Sequence, residues 1–510
     1  MIESSNQSQP LEIERHRAAI FRNDLSRPVR SAIEWGILNK DTTFFDYGCG
    51  HGGDIERITK LGSTSAGWDP YYRPDAPRIP ADIVNLGYVL NVIEDIDERR
   101  QALINAWLLT RKVLIVSTQV LINDRSSNQM AYGDGIITCR NTFQKYYDQE
   151  ELKNYIDEVL NVDAVPVALG IYFVFRDEQE RENFRVLRFR SGATTPRVRI
   201  KSKRFEDYQE QLSPLMAFVT ERGRLPVKGE LPCGAELITE FGSIHRAFKV
   251  IVRATSEAEW DAIAYRRSLD ILVYLALTQF GQRPTPNQLA PELRHDIKAF
   301  FGSYQEAIEV ADRMLFSLGK PGVVAKSCQQ SQIGKHLPSA MYVHVSAIAQ
   351  LDPLLRIYEG CASRTIGRLS DATIVKFSTD KPKISYLFYP DFDTDPHPVL
   401  HTSMQIDLRD LKVYYRDYEN TANPPILHRK ETFVSPSYPL YDKFARLTLR
   451  EQKLGLLKNG SSIGTRDGWL RCLEEHQVEI RGDRVISLKR TAEAQRTQRK
   501  KRDCEEIITS

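Results

Sequence analysis

Short runs of apolar residues alternate with helix-period patterns over the first 180 positions of this chain. Short apolar runs are typical of buried strands, and apolar residues recurring every three to four positions are typical of amphipathic helices. The pattern predicts strands at 44–47, 65–68, 83–86, 113–117 and 171–175. It predicts helices at 11–38, 98–109 and 149–160. Strands that alternate with helices favour a doubly wound α/β fold with a mainly parallel sheet.

The stretch between residues 69 and 81 departs from this alternation. It contains four prolines, at positions 70, 74, 77 and 80. Proline lacks the backbone N–H that helices and sheets need, so the usual third strand and its helix are predicted to be shortened or absent.

Length and composition indicate a soluble, multidomain protein. The chain has 510 residues, of which 41% are hydrophobic and 27% charged. No apolar run approaches the roughly 18–20 residues of a membrane span. The N-terminal residues MIESSNQSQPLEIERHRAA lack an apolar signal core, so we expect a cytoplasmic protein without a membrane partner.

The cysteines and the charge distribution indicate which kinds of site and partner the chain could have. The seven cysteines are scattered without a CxxC pair, which argues against both a disulfide framework and a structural zinc site. The net charge is only +3, but residues 181–204 hold nine Lys or Arg against one acid, and residues 484–502 hold eight against one. Either segment suits a phosphate backbone, although a solvated linker and a disordered tail are equally consistent.

Residues 44–54, FFDYGCGHGGD, combine a predicted strand with a glycine turn and a helix start. Backbone N–H groups and a helix N-terminus face a ligand in that arrangement. Glycine allows positive φ and close approach of the ligand. The motif predicts a cofactor site, with an ordinary glycine-rich turn as the structural alternative.

Two acids distinguish the possible cofactors. Asp69 lies 19 residues after Gly50 and suits the ribose hydroxyls of NAD or of S-adenosylmethionine (SAM) equally well. Asp46, beside the loop, would repel a pyrophosphate but could bind the ammonium group of SAM. The third glycine of a dinucleotide fingerprint is also out of register. The motif therefore favours SAM, and the spacing to Asp69 keeps NAD as an alternative.

The candidate site residues follow from this assignment. The predicted cofactor-binding residues are Asp46, Gly48, Cys49, Gly50, Gly52, Asp69 and Asp82, the last on the adenine side. The turn at 87–95 would deliver side chains to the methyl group, and its candidates for catalysis are Tyr88, Asn91 and Glu94. Core packing, a helix cap and a first-turn acid are their respective structural alternatives.

Absent motifs and one insertion bear on the acceptor. The Asp/Asn/Ser-Pro-Pro-aromatic motif of exocyclic base-nitrogen methylation is missing, and Pro232-Cys233 lies too far from the glycine loop to supply a cytosine-C5 nucleophile. The insertion at 133–147 mixes aromatic and basic residues and is predicted to lie over the mouth of the site. That mixture suits a base or a phosphate, with loop packing as the alternative.

Three features mark the rest of the chain. A Gly-x-x-Pro…Phe-Gly-Ser pattern begins at Gly223 and again at Gly281, which predicts helices broken at Gly242 and Gly302. Residues 438–457 and 464–476 are predicted helices of a helix-turn-helix or a plain hairpin. Asp391, Asp393, Asp395 and His397 could suit a metal, but the surrounding prolines favour an extended turn, and no metal site is predicted.

Composition shifts give the predicted organisation of the chain. In order, it has a helical leader (1–40), a SAM-dependent domain (41–180), a basic linker (181–215), a helical region (216–330), an α+β domain (331–482) and a basic tail (483–510). We expect a Rossmann-like N-terminal domain followed by a mainly helical α+β region.

Several blocks together resemble a known family. These are LSRPVR (25–30), FDYGCGHGGD (45–54), GWDPYYRPD (67–75), ADIVNLGYVLNVIED (81–95), TFQKYY (142–147), YFVFRD (172–177), GKHLPSAMYVH (334–344) and HRKETFVSPSYPLYDKFARLT (428–448). The chain is similar in these blocks to the methyltransferases associated with bacterial DNA phosphorothioation systems. The resemblance implies a class I SAM-dependent fold, a bacterial cytoplasm and a DNA-modification setting, with DNA or proteins of that system as partners. It does not supply a methyl acceptor.

The hypothesis from the sequence is a SAM-dependent methyltransferase followed by a region that docks on DNA or on modification partners. The rival hypothesis is a non-catalytic SAM-fold protein that binds DNA or assembles such a system.

Overall fold

The computed structural model describes residues 13–120, 130–198, 203–367, 372–418, 421–458, 460 and 462–487. The chain divides into unit 1, residues 1–316 and 360–370, and unit 2, residues 317–359 and 371–510. No helix within the described ranges is long and apolar enough to cross a lipid bilayer.

Unit 1 begins with an α/β layer. Its strands are β1 (Phe44–Tyr47), β2 (Ser65–Trp68), β3 (Ala81–Gly87), β4 (Thr110–Ser117), β5 (Met130–Tyr132), β6 (Gly135–Ile137), β7 (Phe143–Gln144), β8 (Val165–Ala168) and β9 (Ile171–Phe175). The helices of this layer are α1 (Arg27–Glu34), α2 (Gly53–Lys60), α3 (Ile96–Leu109), α4 (Gln149–Leu160) and α5 (Glu178–Arg188). One sheet has the order β2–β1–β3–β4–β9–β8, and β5–β7 form a separate three-stranded sheet.

The large sheet is mainly parallel, which confirms the predicted α/β class. Strands β1 to β4 pair in parallel, whereas β9 pairs antiparallel with β4 and β8 antiparallel with β9. Residues 69–80 contain no further strand or helix, as their prolines predict. Because β2 and β3 lie on opposite sides of β1, the strand order reverses there, and ligands bind beyond the carboxyl ends of strands at such a point.

Helices cover both faces of this sheet. On one face Phe45 and Leu114 pack with Leu103 of α3 and Ile156 of α4. On the other face Phe44 of β1 and Ile115 of β4 pack with α1 and with Phe184 of α5. Burial on both faces explains why these strands are continuous apolar runs.

The leader is less helical than predicted. In place of one helix over 11–38, the structure has a 3₁₀ turn at Arg15–Ala18 and then α1. Helix α1 cannot extend further toward the N-terminus because Ser26 is extended and its backbone N–H donates to Asp54 Oδ1 at 2.8 Å. Pro28 lies in the first turn of α1, where its missing N–H costs nothing.

The remainder of unit 1 is helical. It contains α6 (Lys203–Asp207), α7 (Gln209–Arg222), α8 (Gly234–Phe241), α9 (Ile244–Ala254), α10 (Glu257–Thr278), α11 (Pro291–Phe301) and α12 (Tyr304–Ser317), the last ending one residue into unit 2. Gly242 and Gly302, with φ of 79° and 80°, end α8 and α11, which confirms the helix breaks that the repeat predicts. Helix α6 lies within the segment interpreted as a basic linker, and α5 and α7 overlap its two ends; residues 199–202 of that segment are outside the described part.

Unit 2 is built on an antiparallel sheet. Its strands are β10 (Lys335–Leu337), β11 (Ala340–His344), β12 (Ile374–Ser378), β13 (Lys383–Phe388), β14 (Thr402–Asp407), β15 (Val413–Asp417), β16 (Val478–Arg481) and β17 (Arg484–Ser487). Its helices are α13 (Val323–Gln330), α14 (Pro353–Ile366, which continues into unit 1), α15 (Tyr441–Lys453) and α16 (Arg466–His476). Strands β10 to β15 pair in chain order, and β16 and β17 form a hairpin.

This six-stranded sheet forms the β part of the region that the sequence predicts to be mainly helical α+β. Each strand is only three to six residues long, and such short period-2 patterns acquire meaning only through their cross-strand neighbours. Helices α15 and α16 confirm the two helices predicted near the C-terminus, and whether they act as a helix-turn-helix stays a prediction. Most of the basic tail, from residue 488 onward, lies outside the described residues.

Candidate functional site

The glycine turn has the geometry that its sequence predicts. Strand β1 ends at Tyr47, and Gly48 and Gly50 follow with φ of 81° and 52°. A Cβ on Gly48 would lie 2.5 Å from Val89 Cγ2, so a larger residue would strain both the backbone and the neighbouring turn. The chain then enters α2 at Gly53, at the carboxyl edge of the sheet.

A cavity of about 600 Å³ opens beside this turn. Six of the predicted site residues line it: Asp46, Gly48, Cys49, Gly50, Asp69 and Tyr88. Asn85 of β3 and Asp54 of α2 also line it, together with residues of the N-terminal segment 13–22. The cavity therefore lies where the strand order reverses, and the structure brings most of the predicted cofactor residues together there.

Asp46 and Asn85 form a polar pair inside the cavity. Asn85 Nδ2 donates to Asp46 Oδ1 at 2.8 Å, and both side chains are buried. Burial, with the charge of nearby Asp54, raises the pKa of Asp46 to about 7. Asn85 Oδ1 is buried without a hydrogen-bond partner in the described part of the chain. A buried carboxylate beside an unpaired amide oxygen suits a ligand that carries N–H donors and positive charge.

Asp69 ties the glycine turn to the chain after β2. Its Oδ2 accepts a 2.9 Å hydrogen bond from the Gly50 N–H, and its Oδ1 accepts 2.9 Å bonds from the N–H groups of Tyr71 and Tyr72. An ionised carboxylate has about four acceptor positions, so one remains for a ligand hydroxyl. Asp69 thus positions the loop as well as facing the cavity.

The N-terminal segment 13–22 crosses the cavity and was not identified as part of the site from the sequence. Its Arg15 forms 2.7 Å hydrogen bonds with both carboxylate oxygens of Glu94 and with Glu98. The Phe21 ring stacks on His51 of the glycine turn, with centroids 3.7 Å apart. The signal in the sequence is the apolar run at 18–21, which is equally typical of a helix.

The structure places the three predicted catalytic residues differently. Tyr88 lines the cavity with a φ of 61°, and the Arg22 guanidinium carbon lies 5.3 Å from its ring centroid. Asn91 is not among the lining residues; it is buried behind the turn, and its Oδ1 has no partner within the described residues. Glu94 does not line the cavity either, and both of its carboxylate oxygens accept hydrogen bonds from Arg15. Burial raises the pKa of Glu94, but the hydrogen bond and charge of Arg15, together with a backbone hydrogen bond, outweigh burial, and the net shift is downward.

Two predicted cofactor residues, Asp82 and Gly52, lie outside the cavity lining, whereas Cys49 belongs to it. Asp82 stands at the amino end of β3, where its Oδ2 accepts from the N–H and Oγ1 of Thr43 at 3.0 and 2.9 Å, so it does not reach the cavity. Gly52 caps α2 with a φ of 79° and does not line the cavity. Cys49 does line it, and burial raises its thiol pKa to about 12, so the sulfur stays protonated.

The insertion at 133–147 packs as a small sheet instead of lining the cavity. Asp134 accepts from Arg99 at 2.7 Å and pairs with Lys145 at 3.0 Å. These cations lower the pKa of Asp134 to about 2. The insertion meets the N-terminal segment where the Glu14 N–H donates to the Asn141 carbonyl at 2.9 Å.

The acidic turn of unit 2 has protein partners. His397 Nε2 lies 2.6 Å from Glu451 Oε1, and the Tyr438 hydroxyl donates to Asp393 at 2.7 Å. Asp395 accepts from the backbone N–H of His397 at 2.8 Å. These side chains thus join the turn to the helical part of unit 2.

Comparison with known proteins gives matches at the level of structure. No protein-family model and no curated protein matches the chain. An O-methyltransferase family protein from Burkholderia thailandensis matches with 15% identity and a TM-score of 0.22, over 29% of this chain and 57% of that protein. The 1,6-didemethyltoxoflavin-N1-methyltransferase of the same organism, crystallised with 1,6-didemethyltoxoflavin and S-adenosylhomocysteine, matches with 15% identity and a TM-score of 0.22, over 29% of this chain and 75% of that protein. A SAM-dependent methyltransferase from Aquifex aeolicus matches with 11% identity and a TM-score of 0.21, over 30% and 89%. These values are too low to transfer an activity or a residue's role.

Proposed function

We propose that unit 1 binds SAM and transfers its methyl group to an acceptor. The observation that carries this proposal is the Asp46–Asn85 pair, buried in a cavity beside a glycine turn. A carboxylate in that position would attract the ammonium group of SAM, and the unpaired Asn85 oxygen would accept one of the ammonium hydrogens.

Other residues of the cavity fit the rest of the cofactor. Asp69 has an acceptor position for a ribose hydroxyl, and Gly48 and Gly50 let a ligand approach the backbone. Asp46, Asp54 and Asp69 line one cavity, and three aspartates would repel the pyrophosphate of NAD. The residues present therefore fit SAM better than a dinucleotide.

The chain's contribution to such a reaction would be alignment and exclusion of water. When bound, SAM would supply an electrophilic methyl group, whose carbon an acceptor lone pair would attack opposite the sulfur, with S-adenosylhomocysteine as the leaving group. Tyr88 is the predicted catalytic residue that faces the cavity, and its phenol could orient the acceptor by a hydrogen bond. Residues 13–22 would limit access of water. Because Glu94 is paired with Arg15, it is a poor proton acceptor in this arrangement.

The biological setting rests on the sequence blocks similar to phosphorothioation-associated methyltransferases. We propose that the acceptor is DNA or a component of a bacterial DNA-modification system. The second candidate function is a non-catalytic SAM-binding assembly factor. It is favoured by the position of Asn91 and Glu94 away from the cavity.

Calorimetric titration with SAM, S-adenosylhomocysteine and NAD tests the proposal. We expect binding of the two sulfur ligands and none of NAD. Gly50→Val should abolish binding, because its side chain would point toward Ala19 and the ligand. Gly133→Val is the matched control, since Gly133 has a similar φ of 55° and no other atom lies within 4 Å of the position that a Cβ would take there. Retained affinity in Gly50→Val would refute the site, and labelled-methyl transfer to DNA, RNA or protein separates the two functions.

A further inference from the structure

One face of the six-stranded sheet in unit 2 is polar, aromatic and basic. The register pairs Tyr342 with Lys376, Lys376 with Ser385, Ser385 with Gln405, and Gln405 with Tyr414. Alternate residues of a strand point to the same side, so Lys383, Ser403 and Arg416 share this side. We call these residues the polar sheet face: Tyr342, Lys376, Lys383, Ser385, Ser403, Gln405, Tyr414 and Arg416.

The opposite face of the same sheet is core. Met341, Phe377, Ile384 and Ile406 form one row there, and each has no exposed surface. Helix α14 packs on that side, where the Tyr386 hydroxyl donates to Glu359 at 2.7 Å. The apolar face therefore forms the core of the sheet, and the polar sheet face is left partly accessible to solvent.

The outer strands carry the most accessible part of the polar sheet face. Tyr414 on the edge strand β15 is 46% exposed, and Arg416 beside it is also exposed. Lys376, Lys383 and Gln405 are half-buried. The inner end of the face is covered, because Ile374 and Leu387 pack against Phe392 and Phe433.

Cations and rings alternate over this face. Lys376 Nζ lies 5.5 Å from the Tyr342 ring centroid, and Lys383 Nζ lies 5.9 Å from that of Tyr414. Both distances are within the range of cation–π attraction. The face thus combines flat hydrophobic rings with positive charge, a pattern that apolar core packing does not need.

The charge of the face is positive and only partly neutralised. Asp407 is the acid at its margin, and it is shared by Lys383 at 3.4 Å and Arg409 at 3.1 Å. Lys376 and Arg416 form no ion pair with a carboxylate among the residues that the structure describes. Two cations therefore remain available for an external anion.

We propose that the polar sheet face binds single-stranded nucleic acid. Lys and Arg neutralise phosphates, and the exposed Tyr414 ring can stack on an unpaired base, whereas Tyr342 is partly buried against Phe433. A duplex keeps its bases stacked inside, so it would meet the cations but not the ring. Stacking and point charges do not read the 2′-hydroxyl, so DNA and RNA strands should bind alike. From β11 to β15 the face spans about 19 Å, four strand spacings of about 4.8 Å.

Fluorescence anisotropy with the full chain and a labelled oligothymidylate of about twelve nucleotides tests this proposal. The double variant Lys376→Gln/Arg416→Gln should weaken binding at least tenfold. The slope of log affinity against log salt concentration should become shallower by about 1.4 in this variant, since each phosphate contact of a single strand contributes about 0.7 to the slope. Tyr414→Leu should weaken binding at least fivefold and leave the slope unchanged.

Arg450→Gln/Lys453→Gln is the matched control, because it removes the same charge from the exposed side of α15. It should bind as the wild type does, and oligouridylate should bind within about threefold of oligothymidylate. No binding by the wild type at low salt, equal losses in the two double variants, or tighter binding of duplex than of single strand would each overturn the proposal. Calorimetry with S-adenosylhomocysteine on the same variants keeps this result separate from the cofactor site, because they leave unit 1 unchanged.

Discussion

Asn85 Nδ2 donates a 2.8 Å hydrogen bond to Asp46 Oδ1, between residues that are direct neighbours in the register of β3 and β1. The pair stands at the reversal of strand order, and both residues line the cavity. One amide hydrogen bond does not compensate an aspartate for its lost hydration, which is why its pKa rises. In the proposed function, the ammonium group of SAM would complete this pair.

The affinity for S-adenosylhomocysteine should depend on pH through Asp46. With a pKa of about 7, the carboxyl is protonated below neutrality and ionised above it, and only the ionised form attracts an ammonium group. We expect affinity to weaken roughly fivefold from pH 7 to pH 6. Calorimetry at the two pH values measures it, and Asp46→Asn should bind weakly with no such change. An equal pH dependence in Asp46→Asn would assign the effect to another group.

Asp46→Asn should stabilise the unliganded protein at alkaline pH. The native pKa of Asp46 is raised above its unfolded value, so the native state binds the extra proton and stability falls as pH rises from about 4 through 7. Asparagine does not titrate, so the variant avoids this loss of stability. The free energy of unfolding that Asp46→Asn gains over the wild type should be larger at pH 8 than at pH 5 by on the order of 2 kcal/mol. Urea unfolding measures both gains. Asp75→Asn, at an exposed aspartate, should show neither, and a pH-independent gain at Asp46 would contradict the argument.

Arg15→Ala should release the N-terminal segment from the cavity. Arg15 connects that segment to Glu94 and Glu98, and partly exposed pairs of this kind contribute about 0.2–1 kcal/mol each. We expect S-adenosylhomocysteine to dissociate roughly two- to tenfold faster, as measured by stopped-flow competition. Arg17→Ala is the control, because Arg17 pairs with Glu14 of the same segment. If the two variants dissociate alike, segment 13–22 does not retain the ligand.

Unit 2 should lose stability in mild acid through His428. Burial lowers the pKa of His428 to about 3, and its Nε2 donates to the Ile463 carbonyl at 2.7 Å. The native state resists protonation that the unfolded chain accepts below about pH 6.5, so stability falls as pH drops from there toward 3. This histidine should cost on the order of 2 kcal/mol between pH 6.5 and pH 5.

Scanning calorimetry at these two pH values should show a smaller loss in His428→Gln than in the wild type. The glutamine amide can still donate to Ile463 but does not titrate. His476→Gln, at an exposed histidine of α16, should keep the wild-type loss. A full acid loss in His428→Gln would place the sensitivity elsewhere in unit 2.

The local features of this chain were determined by its sequence. Gly48 and Gly50 adopt positive φ, Gly242 and Gly302 end helices, and the prolines at 70, 74, 77 and 80 exclude a strand and helix. Each of these depends on the backbone freedom of one residue type, which acts over a few positions only. The strand, turn and helix of the candidate site could therefore be predicted from the order of residues alone.

Tertiary structure decided which side chains meet at the site. Asp82 and Asn85 are three residues apart on β3, but only Asn85 is level with Asp46 at the carboxyl edge, because parallel register sets that height. The same holds for the N-terminal segment over the cavity, where Arg15 meets a carboxylate 79 positions away. In unit 2, Lys376 and Tyr342 become neighbours only through strand pairing. Contacts between distant segments depend on register and packing, which a local pattern of apolar and polar residues does not contain.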